Sequence, residues 1–262
     1  MSYGVRVRLR TDMASTMPQM LQLLPPGWKT TSSEKAHRAY SLIAKGVQRT
    51  ARKTRRQTLL YGDGELIARS SNLETVLDRF EADLQLFVAE SARHRVFVHS
   101  GVVGWRGKAV LIPGRSFSGK TTLVAELVRA GAVFYSDEYA VMDQQGRVHP
   151  YAKPLAMRQD GAIDQTKISV ESLGGVTGKR ALPVGLIVVS LYKAGARWRP
   201  RLLSSGKSVL ELLANAVPAR RRPAAALEVF QKVVMSAPAL KGIRGSAAET
   251  ARLVLQALDE SL

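Results

Sequence analysis

The sequence predicts an α/β chain: a mixed sheet flanked by helices, with a β-rich lobe ahead of it. Three observations predict this. Lys108-Ala-Val-Leu-Ile-Pro113 reads as a short buried strand, and Thr122-Leu-Val-Ala-Glu-Leu-Val-Arg-Ala130 after it is apolar at helical spacing and stops at Gly131. Val184-Gly-Leu-Ile-Val-Val-Ser-Leu191 is the most strand-like run and reads as a central strand, because a strand buried on both faces is continuously apolar. Residues 1–70 instead place short alternating runs between breakers, the pattern of a mostly β lobe. The expected division is a lobe with a connecting helix over residues 1–92 and a larger domain over residues 93–262.

Between the first strand and helix lies Gly114-Arg115-Ser116-Phe117-Ser118-Gly119-Lys120-Thr121, which fits G-x-x-x-x-G-K-[ST] without a substitution. The strand–loop–helix context is the one in which this motif is a phosphate-binding loop. Its glycines let backbone N–H groups curl around a phosphate, and the helix N-terminus adds partial positive charge. Lys120 would reach the β- and γ-phosphates, and the Thr121 hydroxyl would take a Mg²⁺ site. Thr122 completes the expected nucleotide-binding set, so ATP and Mg²⁺ are the expected cofactors.

The remaining elements follow in order. In the lobe, Gly4-Val-Arg-Val-Arg-Leu-Arg10 alternates as a half-buried strand does, and Pro25-Pro26-Gly27 is a breaker. A short helix is expected over residues 33–45. Strands over 58–61 and 65–69 flank Gly62-Asp63-Gly64, a hairpin signal. Asn72 is a good N-cap for a helix ending near Ala92, with Leu73, Val76, Leu77, Phe80, Leu84, Phe87 and Val88 on one apolar face.

Three short strands are expected next, over 95–99, 101–105 and 108–112, with Arg106-Gly107 turning between the last two. After the loop and its helix come a strand over 132–136 and a hairpin whose turn is Asp143-Gln-Gln-Gly146. The C-terminal part predicts helices over 208–215, 223–235 and 247–258 around one extended stretch, 239–243.

Composition bounds the partners. Hydrophobic residues make up 45% of the chain, enough for a sizeable core. There is no cysteine, which excludes a disulfide framework and a thiolate metal site and fits a reducing cytoplasm. The N-terminal residues lack the apolar core of a secretory signal, and no apolar run is long enough to span a bilayer. A cytoplasmic protein without a membrane partner is expected.

The formal net charge of +18 favours acidic partners: nucleotides, phosphorylated substrates, nucleic acid or anionic membrane. Its densest clusters, Arg49-Thr-Ala-Arg52-Lys53-Thr-Arg55-Arg56 and Arg220-Arg221-Arg222, carry no interleaved aromatics and no recognition helix, which argues against nucleic acid. A solvated basic face is the simpler reading of both.

The chemistry beyond phosphate binding rests on Asp137 and Glu138. They follow the apolar run Phe134-Tyr135-Ser136, and a strand ending in acidic residues shortly after a phosphate-loop helix is where such folds place a metal ligand and a base. One carboxylate would serve the metal and the other would accept the proton of an attacking hydroxyl. His99, at the end of an expected strand, is a weaker candidate, since a lone histidine is more often structural.

Together these residues resemble the catalytic domain of HPr kinase/phosphorylase. His99-Ser-Gly101-Val-Val, the phosphate loop, Ala125-Glu-Leu-Val-Arg-Ala-Gly131 and Ser136-Asp-Glu138 are similar to that family's His-Gly-Val segment, loop, Arg-Gly helix end and Asp-Asp pair, at matching spacing. The wider pattern, with Val148-His-Pro-Tyr-Ala-Lys-Pro-Leu155 and Arg158, is similar to an uncharacterised HPr-kinase-like branch; the matched block spans about residues 95–160. The resemblance implies a fold akin to phosphoenolpyruvate carboxykinase, phosphoryl transfer to a serine hydroxyl, and a homo-oligomer. It implies that Lys120 and Thr121 bind phosphate and Mg²⁺, that Asp137 takes the first acidic place and Glu138 the proton acceptor's, and that His99 is the catalytic-site histidine.

Three departures bear on it. The second acid is Glu rather than Asp, the loop is followed by Thr121-Thr122 rather than Ser-Glu, and the family's Glu-x-Arg-Gly-x-Gly signature has only Glu171-Ser-Leu-Gly-Gly175 as its nearest string. The family's N-terminal domain is not recognisable either.

The expected function is thus an ATP-dependent kinase acting on a serine hydroxyl of a protein, peptide or small molecule. The alternative is a nucleotide-binding regulatory or assembly protein with little turnover. The absence of Leu-Ser-Gly-Gly-Gln and Asn-Lys-x-Asp strings argues against a transporter ATPase and a typical GTPase. Arg158 is a candidate substrate contact, and Arg220–Arg222 could imitate the arginine-rich lid of a small-molecule kinase.

Overall fold

The computed structural model describes residues 1–50, 53–115, 118–158 and 165–260, which fall into two compact units, Met1–Arg93 and His94–Leu262. The chain is mixed α/β.

The first unit holds β1 (Val7–Thr11), α1 (Met17–Gln22), β2 (Arg38–Thr50), β3 (Lys53–Gly62), β4 (Glu65–Ser70) and α2 (Leu73–Ser91). Its strands form one sheet in the order β1-β2-β3-β4, with β1 parallel to β2 and the rest antiparallel. The helix expected over residues 33–45 does not form; β2 begins at Arg38 instead. The helix-forming residues Glu34, Lys35 and Ala36 are overridden by a period-2 pattern, in which Tyr40 and Leu42 are fully buried while Ser41 and Ile43 are not. Tyr40 meets Phe80 of α2 edge-on at 5.2 Å and donates its hydroxyl to Asp83 at 2.7 Å. Asn72 caps α2, its side chain accepting the Glu74 N–H at 2.8 Å. Much of the basic cluster at Arg49 and Arg56 lies outside the described residues or side chains.

The second unit opens with β5 (Val96–Trp105), β6 (Lys108–Pro113), α3 (Lys120–Arg129), β7 (Val133–Ser136), β8 (Tyr139–Met142) and β9 (Val148–His149). It continues with β10 (Leu155–Arg158), β11 (Gln165–Ile168), β12 (Val184–Tyr192), β13 (Arg201–Leu202), α4 (Ser205–Ala214), α5 (Pro223–Ser236), β14 (Ala239–Arg244) and α6 (Ala247–Glu260). Eight strands form one sheet in the order β13-β14-β12-β6-β5-β8-β9, with β7 paired to β5. β6, β12 and β14 run parallel, so their carboxyl ends share one edge.

Two of the expected short strands, 95–99 and 101–105, are one continuous strand, β5. Ser100 at their junction is fully buried, yet both of its polar needs are met: its hydroxyl donates to the Gly101 carbonyl at 2.7 Å and accepts the Ile112 N–H at 3.0 Å. A small polar residue that reads as a break in sequence is thereby carried inside the ladder. The N-terminal half of β5 pairs with β8 and the C-terminal half with β6 and β7.

Alternation divides the core. On β6, Ala109 and Leu111 face the cluster built with α4 and α5, which includes Leu212 and Phe230; Val110 and Ile112 face the cluster built with α3 and α6, which includes Leu127 and Val254. On β12 the register shifts between Val184 and Leu186, and those two residues fall into opposite clusters. This sheet, covered by helices on both faces, holds the carboxyl end of β6 rigid, and the loop that follows inherits that placement.

Among the described residues no helix is long and apolar enough to cross a membrane.

Candidate functional site

The glycine-rich loop joins the carboxyl end of β6 to α3. Gly119 sits at the N-cap of α3 with φ +80°, a left-handed conformation that favours glycine, and the helix begins at Lys120. Ser116 and Phe117 lie outside the described residues. Gly114 continues from β6 and donates its N–H to the His99 carbonyl at 3.2 Å. Arg115 is exposed, as is Thr122 on the first turn of α3. The Ser118 hydroxyl is buried and finds no hydrogen-bond partner among the described residues.

Lys120 is only 9% exposed, although its side chain carries an ammonium. Its Nζ donates to the carbonyls of Gly114 and Arg115, both at 2.7 Å. Burial pulls its pKa down, and the negative charges of Asp137 and Glu138 resist that pull. The Lys120 ammonium is thus folded onto its own loop, with two carboxylates near.

Asp137 and Glu138 occupy the tight turn between β7 and β8. Ser136 sets that turn: its buried hydroxyl accepts the N–H groups of Glu138 at 3.1 Å and Tyr139 at 2.9 Å. The Asp137 carboxylate accepts the Ala156 N–H at 3.4 Å and has the Thr121 hydroxyl nearby. Burial raises its pKa, while those donors, its own N–H and Lys120 act against the rise. The structure thus brings Lys120, Thr121, Asp137 and Glu138 together.

His99 joins them from β5. Its backbone N–H donates to the Asn215 carbonyl at 2.8 Å, and its ring lies 4.8 Å from that of Tyr139. Burial lowers the imidazole pKa, the Lys120 cation lowers it further, and a hydrogen bond to the Glu138 backbone opposes both. A lowered native value means that the unfolded chain binds the proton more readily. The stability from neutral His99 is therefore complete above the ordinary histidine value of about 6.5 and is lost as pH falls through the lower native value. Asp137 pulls the other way. Its raised native value gives stability that is complete below the ordinary Asp value of about 3.9 and lost as pH rises through the native value. The difference between wild type and His99→Gln isolates the histidine. Urea midpoints measured from pH 7.5 down to 5 are expected to fall more steeply for wild type; parallel curves would remove the assignment.

The other candidates lie apart or are undescribed. The Arg158 side chain lies outside the described residues, and Glu171 is exposed on a short 3₁₀ turn. The short 3₁₀ helix Val217–Arg220 leads into Arg221 and Arg222 and lies beside β5, since Ala216 bridges to Val98.

Two residues of the site were not singled out by sequence reasoning. One is Ser136. The other is Arg244, the last residue of β14, whose guanidinium donates to the Gly119 carbonyl at 2.7 Å although it stands 125 positions along the chain. The only local signal for it is an arginine set between Gly242 and Gly245 at the end of an apolar stretch.

No protein-family model matches this chain, and no curated protein matches it either.

Proposed function

We propose that this protein is an ATP-dependent kinase resembling HPr kinase, with a phosphoenolpyruvate-carboxykinase-like phosphate-loop fold, and that its acceptor is a serine hydroxyl of a protein, peptide or small molecule. The observation that carries this reading is the convergence of buried Lys120 at the α3 N-terminus with Thr121, Asp137 and Glu138.

The residues present fit Mg-ATP. A buried ammonium, a helix N-terminus and a buried Ser118 hydroxyl without a partner among the described residues suit a polyphosphate, while the Thr121 hydroxyl beside the Asp137 carboxylate suits a hard divalent cation. When bound, Mg-ATP supplies the phosphoryl group, which the acceptor oxygen takes as the bridging oxygen leaves with ADP. Lys120 holds phosphate oxygens and offsets the charge that develops on them. Thr121 and Asp137 hold the metal side. Glu138, on the same turn but outside that pair, takes the proton of the acceptor hydroxyl. The helix dipole and the rigid end of β6 keep these groups in place, so catalysis is mainly positioning and electrostatics.

The test follows labelled γ-phosphate from Mg-ATP with purified protein, alone and with free serine or a pool of serine-containing peptides. Label on an acceptor hydroxyl is the expected result. Tight nucleotide binding with no label transferred would overturn the kinase reading in favour of a nucleotide-binding regulator.

A further inference from the structure

Arg244 is 2% exposed, which places a permanently charged guanidinium inside the protein. Among the described residues no carboxylate pairs with it. Its Nη2 donates to the Gly119 carbonyl at 2.7 Å, its Nη1 to the Gly245 carbonyl at 3.3 Å, and its Nε finds no partner among the described residues. Burying an uncompensated cation is costly, so a position that keeps one calls for a reason.

The route of the side chain gives that reason. β14 and the strand of the phosphate loop, β6, are separated by β12, and Tyr192 of β12 stands opposite Arg244 in register. The guanidinium lies 5.5 Å from the Tyr192 ring centroid and passes the carboxyl end of β12 to reach the loop. Its backbone is fixed from outside: Lys193 donates its N–H to the Arg244 carbonyl at 2.9 Å, and the Trp198 ring lies close over Gly242. A side chain at Gly119 would run into the guanidinium, so the loop glycine and Arg244 are fitted to each other.

We propose that Arg244 is the positioning residue of the phosphate loop, clamping the Gly119–Lys120 peptide so that the Lys120 N–H is presented to bound phosphate. The inference rests on the nucleotide-binding reading above. The Gly119 carbonyl accepts both Arg244 and the Leu123 N–H, the latter at 3.2 Å. In a trans peptide the N–H points opposite to the carbonyl, and the first N–H groups of a helix have no intrahelical partner. A charged donor on the carbonyl polarises that peptide and strengthens the N–H as a donor on its other side. The guanidinium also adds a second fixed positive charge to the field at the α3 N-terminus. It acts through the loop backbone rather than by touching the reacting atoms.

The experiment titrates Mg-ATP, inorganic tripolyphosphate and adenosine into wild type, Arg244→Lys and Arg244→Ala, with melting temperatures measured in parallel. Affinity for Mg-ATP and tripolyphosphate is expected to fall at least tenfold in both variants. Millimolar guanidinium should restore it in Arg244→Ala but not in Lys120→Ala, a rescue that a merely structural arginine would not show. A folded Arg244→Ala that binds tripolyphosphate like wild type overturns the inference and leaves the kinase reading intact. Wild type that binds neither Mg-ATP nor tripolyphosphate removes that reading and this inference with it. Should both variants fail to fold, the wild-type Arg244 Nε–H resonance decides: it is expected to shift when tripolyphosphate saturates the protein, and an unmoved resonance overturns the clamp.

Discussion

Lys120→Ala is expected to lose phosphoryl transfer by at least a hundredfold to a thousandfold, the range for removing one preorganised charge from a transition state. Mg-ATP binding should weaken as well, because in the proposed site the same ammonium would face the ground-state phosphates. The fold should survive. Burial already disfavours the charged lysine, so its removal relieves a desolvation penalty while it forfeits two hydrogen bonds to the Gly114 and Arg115 carbonyls. The loss also reaches Asp137, whose carboxyl is raised by burial and held down partly by the Lys120 charge. Without that cation Asp137 should titrate still higher. Labelled transfer, calorimetric binding and a circular-dichroism melt on one preparation check the statements on transfer, binding and fold. Transfer at the wild-type rate by the variant would place the phosphate site elsewhere in the molecule.

What could be read from the sequence was local. The loop motif, the Arg106-Gly107 turn and the Asn72 cap are each set by residues within a few positions of one another, and the structure has the turn glycine at φ +80° and the cap bonded at 2.8 Å. Local preference misleads where distant packing overrides it. Residues 33–45 contain good helix formers, but the buried faces of Tyr40 and Leu42 make a strand of the second half. Ser100 looked like a break because nothing nearby shows that Ile112, in the next strand, satisfies its hydroxyl. Arg244 is the extreme case. In a chain with 39 lysines and arginines, one more arginine carries no signal until the sheet order brings β14 within a side chain's reach of Gly119.

Asp137→Asn and Glu138→Gln should fail in different ways, and the difference assigns the two carboxylates. Asp137 accepts the Ala156 N–H and has the Thr121 hydroxyl nearby, which in the proposed site puts it on the metal side. Its neutral analogue should lose Mg²⁺-dependent nucleotide binding and transfer together. Glu138 stands on the same turn, its backbone N–H donating to the Ser136 hydroxyl. Its neutral analogue should bind Mg-ATP normally and lose transfer by about 10²- to 10⁴-fold, the usual contribution of a general base. One observation argues for the opposite assignment: a carboxylate raised by burial, as Asp137 is, has gained proton affinity and would make the stronger base. A metal beside the carboxylate would, however, favour its charged form. The two assignments therefore separate by pH. With Asp137 on the metal, Mg²⁺ affinity should fall as pH drops through its raised native value, since the proton competes with the metal. With Asp137 as the base, Mg²⁺ affinity should stay flat over that range and only the transfer rate should fall. Titrating Mg²⁺ against ADP-loaded wild type from pH 8 down to the ordinary Asp value of about 3.9, beside transfer rates for both variants, reads both quantities. A flat Mg²⁺ curve with an active Glu138→Gln and an inactive, nucleotide-binding Asp137→Asn would exchange the two roles.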